Sequence, residues 1–170
     1  DDHDVIAGHA TMALEILEDA PDVAAVVAGI GGGGLITALG SAFRALKPEV
    51  RIFGAEPETA APMALSLAKG FPQAFEGWTP SFVDGAGGRS VFPRMWERMR
   101  PVVDGCIVLT LEETRRAMRL LAETSRVIAE GAGALSVAAA LTGQAGPGPV
   151  VAVVSGGNID LMKFCELMAQ

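Results

Sequence analysis

Tyrosine is absent from this sequence, cysteine and histidine each occur only twice, and charged residues make up only 19%. Each scarcity excludes something. Cys106 and Cys165 lie far apart with no Cys or His at metal-ligand spacing beside them, so neither a zinc site nor a disulfide framework is read. Two ordinary buried thiols in a reducing compartment are expected. A net charge of −7 and a pI near 4.8 withhold the cationic footprint that nucleic acid or an anionic membrane surface requires, which leaves a small molecule as the expected partner. No apolar run approaches the ~20 residues that span a bilayer, and the acidic start DDHDVIAGH is unlike a secretory or organellar signal. A cytoplasmic protein is expected, and the start without Met reads as the interior of a longer chain.

What is present points to strands and tight turns. Half of the 170 residues are hydrophobic and 21 are glycine, enough for one α/β domain over residues 1–170 with a parallel sheet and flanking helices. Helical spacing predicts a helix from Gly8 to Asp19, stopped by Pro21. Val23 to Ala28 is a short unbroken apolar run, the pattern of a strand buried on both faces. Leu35 to Leu46 is a second helix and Arg51 to Ala55 a second strand, completing a βαβ unit. Met63 to Lys69 is a short helix, Gly70 to Pro93 a loop, and Val103 to Leu109 a strand. Thr110-Leu111-Glu112-Glu113 is a capping box for a helix to about Ser125. Glu130 to Leu141 is a small-residue helix, and Val150 to Val154 reads as the most strongly buried strand.

Between the first strand and second helix the chain reads VVAGIGGGGL. A helix N-terminus carries unpaired N–H groups and partial positive charge, and glycines let an anion rest directly on them. One or two glycines would suffice for a tight turn; four in succession point to phosphate. Two phosphate-bearing cofactors compete. Gly29-Ile30-Gly31-Gly32-Gly33-Gly34 satisfies G-x-G-x-x-G, and Glu56 ends the next strand where a ribose-binding acid belongs, the pattern of an NAD-dependent oxidoreductase. That match is weak, because a glycine placed two residues before any four-glycine run produces it.

The rest of the chain arbitrates. VVAGIGGGGLITAL, FGAEPETAAPMALSL, VDGAG, AEGAGALSVAAAL and VVSGGNIDL, in this order, resemble the C-terminal half of fold-type II pyridoxal-phosphate enzymes of the threonine/serine dehydratase and serine racemase group. The resemblance implies the large cofactor-binding domain of that fold, with the backbone amides of Gly31, Gly32, Gly33 and Gly34 holding the pyridoxal 5'-phosphate phosphate. It implies that Ser155 hydrogen-bonds the pyridine nitrogen; a serine there could instead be a helix N-cap, but its position at the carboxyl end of a strand, where open α/β sheets bind ligands, favours the cofactor. A hydroxyl, with its high pKa, does not keep that nitrogen protonated, which favours expulsion of a β-leaving group over transamination. Glu130 is implied to line the cofactor ring, though Gly131 follows where the family usually has Pro or a comparable residue, and Asp84-Gly85 to approach the cofactor through its backbone, with a plain surface turn as the alternative reading. Glu56 and the carbonyl of Ala60 resemble two ligands of a divalent cation site, but Pro62 stands where the third ligand is often an acid. His9 replaces a glutamine of the family pattern and reads as a surface residue near a helix start.

The family's Schiff-base lysine has no counterpart here. Lys47, Lys69 and Lys163 lie in unrelated contexts, so the N-terminal half of the enzyme, with that lysine, is expected outside this chain. The implied activity is dehydration of L-threonine or L-serine to a 2-oxo acid and ammonia by a homodimer or tetramer, with this chain inactive alone. Serine racemisation is the neighbouring alternative.

Overall fold

Val26 and Val27 project to opposite faces of one sheet, and helices cover both faces, so the run that contains them shows no polar alternation. The computed structural model describes residues 2–169. Its strands are β1 (Ala25–Gly29), β2 (Arg51–Pro57), β3 (Gly105–Leu109) and β4 (Val150–Ala152), all parallel, in the spatial order β3-β2-β1-β4. Helices α1 (His3–Asp19), α2 (Gly34–Leu46) and α4 (Pro93–Met99) bury Ile16, Ile36, Leu39, Phe43, Trp96 and Met99 against one face. Helices α5 (Leu111–Leu120), α6 (Gly131–Leu141) and α7 (Leu161–Met168) bury Met118, Leu135 and Phe164 against the other. Helix α3 (Pro62–Lys69) follows β2 and packs toward β3.

Several expected boundaries move, each for a local reason. Helix α1 starts at His3, because the Asp2 carboxylate accepts from the amides of Asp4 (2.8 Å) and Val5 (3.2 Å) and caps it. His9 is therefore an exposed mid-helix residue, not one near a helix start. The capping box is present as read: the Thr110 hydroxyl accepts from the Glu113 amide at 3.1 Å and the Glu113 carboxylate accepts from the Thr110 amide at 2.8 Å. The α-helix behind it ends at Leu120 and passes into a π-helical turn over Leu121–Ser125, closed by Arg126 at φ 59°. Strand β4 is three residues long and only half-buried. It lies at the sheet edge, paired to β1 alone, so the strongest apolar run belongs to an edge strand with no fully buried residue. Cys165 is exposed on α7 and Cys106 is half-buried with its thiol turned in to Glu56, so the expected pair of buried cysteines is not found. Among the described residues no helix is long and apolar enough to cross a membrane.

Candidate functional site

The strand order reverses beside β1. The chain moves outward from β1 through β2 to β3, then returns to add β4 on the other side. Open parallel sheets leave a crevice at the carboxyl ends of the two strands that flank such a reversal. Strand β1 hands over there to the four glycines, and β4 to Ser155. The pairing of Val27 with Ala152, with the Val153 amide donating to the Val27 carbonyl at 2.9 Å, starts both segments from adjacent strands, about 4.8 Å apart.

Each glycine has its own surroundings. Gly31 and Gly32 are exposed; a Cβ on Gly31 would stand 2.8 Å from the Gly85 carbonyl, whereas one on Gly32 or Gly34 would meet nothing within 4 Å. Gly33 is buried at φ 88°, with the Met99 sulfur 2.5 Å from where a Cβ would lie, so its backbone conformation and the packing of α4 both demand glycine. Its carbonyl is taken by the amide (3.1 Å) and hydroxyl (2.7 Å) of Thr37. Among the described residues, nothing accepts a hydrogen bond from the amides of Gly31, Gly32, Gly33 or Gly34. Four donors at a helix mouth, with open space ahead of Gly32 and Gly34, fit a phosphate group.

The segment 84–88 forms the facing wall. The Gly87 amide donates to the Ile30 carbonyl at 2.8 Å, which ties this segment to the residue before Gly31. Gly31, Gly32, Asp84, Gly85, Arg89 and Phe92 help to line a cavity of about 560 Å³. Sequence reasoning passed over Arg89, whose guanidinium stacks on the Trp78 ring at 3.9 Å; a lone arginine in a glycine-rich loop carries no periodic signal. Asp84 also borders a second cavity, about 300 Å³, with Glu130, Asn158, Asp160 and Lys163.

Glu130 joins the two loops. Its amide donates to the Gly156 carbonyl at 3.1 Å, and its Oε1 lies 3.6 Å from where a Gly85 Cβ would be. A Cβ on Gly156 would collide with the same oxygen. Ser155 is exposed in the segment beyond β4, lines neither cavity, and starts no helix: α7 begins at Leu161, where the Asp160 carboxylate caps it by accepting from the Lys163 amide at 3.0 Å. The N-cap alternative for Ser155 is thereby removed. Lys47 is spent on the Pro21 carbonyl at 2.5 Å, Lys69 ends α3, and Lys163 lies 3.7 Å from Glu166.

Glu56 does not do what either of its sequence readings needs. It is fully buried, and its carboxylate accepts from the amides of Met63 (3.0 Å) and Ala64 (2.9 Å) and from the Cys106 thiol (3.4 Å). Burial pushes its carboxyl up to about 7 against the pull of those amides, and burial also pushes the Cys106 thiol up. A carboxylate so enclosed does not reach a ribose. Nor do Glu56, the Ala60 carbonyl and the donor-free Pro62 fit a hard cation, which wants six or so oxygen ligands. Among the described residues, no three His, Cys, Asp or Glu side chains gather in a metal-binding group.

Comparison with known proteins identifies the family and the fold. Residues 1–156 match the family model described as pyridoxal-phosphate dependent enzyme. The L-threonine ammonia-lyase of Thermotoga maritima is 41% identical over 161 residues, which cover 94% of this chain and 40% of that protein. Among solved structures, the processed threonine deaminase isoform 2 of Solanum lycopersicum superposes with a TM-score of 0.91 at 29% identity, covering 99% of this chain and 50% of that one. Maize serine racemase gives 0.86 at 32% identity, covering 96% and 53%. The chain spans about half the length of the proteins it matches.

Proposed function

Since the chain belongs to the pyridoxal-phosphate dependent enzyme family, with the α/β fold of its fold-type II members, we propose that it supplies the phosphate-holding and ring-orienting wall of a lyase acting on L-threonine or L-serine. The products are a 2-oxo acid and ammonia. The observation that carries this reading is the row of unclaimed amides from Gly31 to Gly34, set at the strand-order reversal beside the end of β4.

In that reading the four amides and the positive end of α2 bind a phosphate dianion, each charge-assisted hydrogen bond contributing about 1.5–3 kcal/mol. Asp84 and Gly85 bound the ring side through their backbone, and Glu130 closes the wall between Gly85 and Gly156. Ser155 donates its hydroxyl to the ring nitrogen and, being no acid of useful strength, leaves it unprotonated. Pyridoxal phosphate, when bound, supplies the electron sink that makes the substrate α-proton acidic and lets the β-hydroxyl depart. The base that takes the proton is a lysine outside these residues. The similarity to maize serine racemase keeps racemisation as a second reading, since it shares the proton removal but not the loss of hydroxyl. Assembly as a homodimer or tetramer belongs to the same proposal and is read by light scattering.

The test uses the full-length gene product that carries this sequence. Pyridoxal phosphate should give a visible-edge absorbance band that borohydride abolishes, and L-threonine or L-serine should yield 2-oxo acid. Gly32→Ala fills open space, so it should leave the unfolding midpoint unchanged while weakening cofactor affinity about tenfold or more. Equal affinity in that variant, or a silent spectrum, refutes the assignment. The 170-residue chain alone should give no borohydride-trapped adduct; one at Lys163 would show that the working lysine lies inside it.

A further inference from the structure

Glu56 makes none of the proposed cofactor contacts, yet it is a fully buried carboxylate at the end of a core strand. Burying a carboxylate is costly unless strong hydrogen bonds compensate it. Two of its partners are the amides of Met63 and Ala64, in the first turn of α3. Helix α3 has Ala61 at its N-cap position and no side-chain cap of its own, so those donors have no partner within the helix. The third partner, the Cys106 thiol, stands on β3. One side chain thus fastens the start of α3 to the carboxyl end of β2 and to the first residues of β3.

The turn in between is pinned as a result. The Ala60 amide donates to the Pro57 carbonyl at 2.9 Å. The Ala60 carbonyl abuts Gly87 so closely that a Cβ there would lie 2.5 Å from it, and Gly87 holds φ 72°. Gly87 donates in turn to Ile30, next to Gly31. A continuous line of contacts therefore runs from the Glu56 carboxylate through α3 and Ala60 to the wall of the cavity at the glycine turn.

We propose that Glu56 is a positioning residue which, through the first amides of α3, performs the loop-fixing task that a divalent cation held by Glu56, Ala60 and a third acid would perform, and that this loop is consequently held without metal. The importance of the loop for cofactor binding rests on the function proposed above; its fixation by Glu56 does not. Hydrogen exchange on the cofactor-free gene product separates the two. In Glu56→Gln, an amide that can accept through one atom only, exchange at Met63, Ala64 and Gly87 should accelerate at least about tenfold relative to Val26 and Val27. Pyridoxal-phosphate affinity should fall about fivefold or more. Millimolar Mg²⁺ or Ca²⁺, or EDTA, should change neither Gly87 protection nor the unfolding temperature of the wild type. Acceleration spread evenly over all core amides, or none at Gly87, overturns the positioning role. A saturable rise of Gly87 protection with either cation overturns it as well, and this arm decides if Glu56→Gln does not fold. A wild type that ignores pyridoxal phosphate would sink the proposed function and leave the exchange result standing.

Discussion

Replacing Glu56 with glutamine should remove a specific pH dependence from the stability of this fold. In the folded chain burial raises the Glu56 carboxyl from 4.5 to about 7, against the opposing pull of the Ala64 and Met63 amides and the Cys106 thiol. A raised carboxyl binds its proton more tightly folded than unfolded, so its contribution is fully present below pH 4.5 and is lost as pH rises through 7. At 1.36 kcal/mol per pH unit, the wild type should lose about 3 kcal/mol across that window. Two other perturbed carboxyls lie on the opposite side. Glu113, held low by the Thr110 amide and hydroxyl, and Asp2, held low by the Val5 and Asp4 amides, lose their contributions only as pH falls below the ordinary carboxylate range. The assay is urea unfolding of wild type and Glu56→Gln at intervals from pH 4 to 8. Every group common to both proteins cancels in the difference, which should slope downward for the wild type between 4.5 and 7 and flatten outside. A difference that is level across that range, or that rises with pH, would refute the buried-carboxylate account.

Other substitutions probe the joints of the site. Gly156→Ala puts a methyl on the Glu130 carboxylate and should destabilise by about 1–3 kcal/mol; adding Glu130→Ala should recover much of that loss in thermal unfolding, and strict additivity of the two changes would deny the contact. Thr110→Ala removes the capping hydroxyl of α5 and should cost about 1 kcal/mol in urea unfolding, with no loss meaning that the box contributes nothing. Exposed Cys165 should react with an aromatic disulfide reagent in the native protein, whereas Cys106 should react only on unfolding; equal native rates would contradict its enclosure.

How much of this was legible in the sequence follows from what fixes each feature. Strand β1, helix α2 and the capping box at Thr110 are determined by nearby residues, and reading them in order located them within a residue or two. Strand β4 was misjudged because its apolar run states what the chain can bury, while burial depends on which neighbours arrive; among the described residues one side of β4 has none. Helix α7 escaped notice because its cap, Asp160, is a single short-range contact after a glycine-rich turn. Glu56 is the instructive case. An acid at a strand end is compatible with a ribose ligand, a metal ligand or a remote helix cap, and only the position of the Met63 and Ala64 amides chooses the third.

The glycine turn and Ser155 illustrate a different limit. A phosphate site could be expected from the four glycines themselves, whereas the ring-nitrogen role expected of Ser155 came only from the family resemblance. Their cooperation cannot be named that way, because no local pattern states that the chain returns past β1 to place β4 beside it. If β4 had been added beyond β3 instead, the same two motifs would stand at opposite edges of the sheet, separated by three interstrand spacings of about 4.8 Å, and no single small cofactor could bridge them. The strand order, more than either motif, therefore makes the two loops one candidate site. The compact turn of Gly29 and Gly133 past their neighbours supports that order: a Cβ on Gly29 would press to 3.0 Å from the Ala132 carbonyl, and one on Gly133 would collide with Gly156, so α6 can sit against both strand ends only while those positions stay bare.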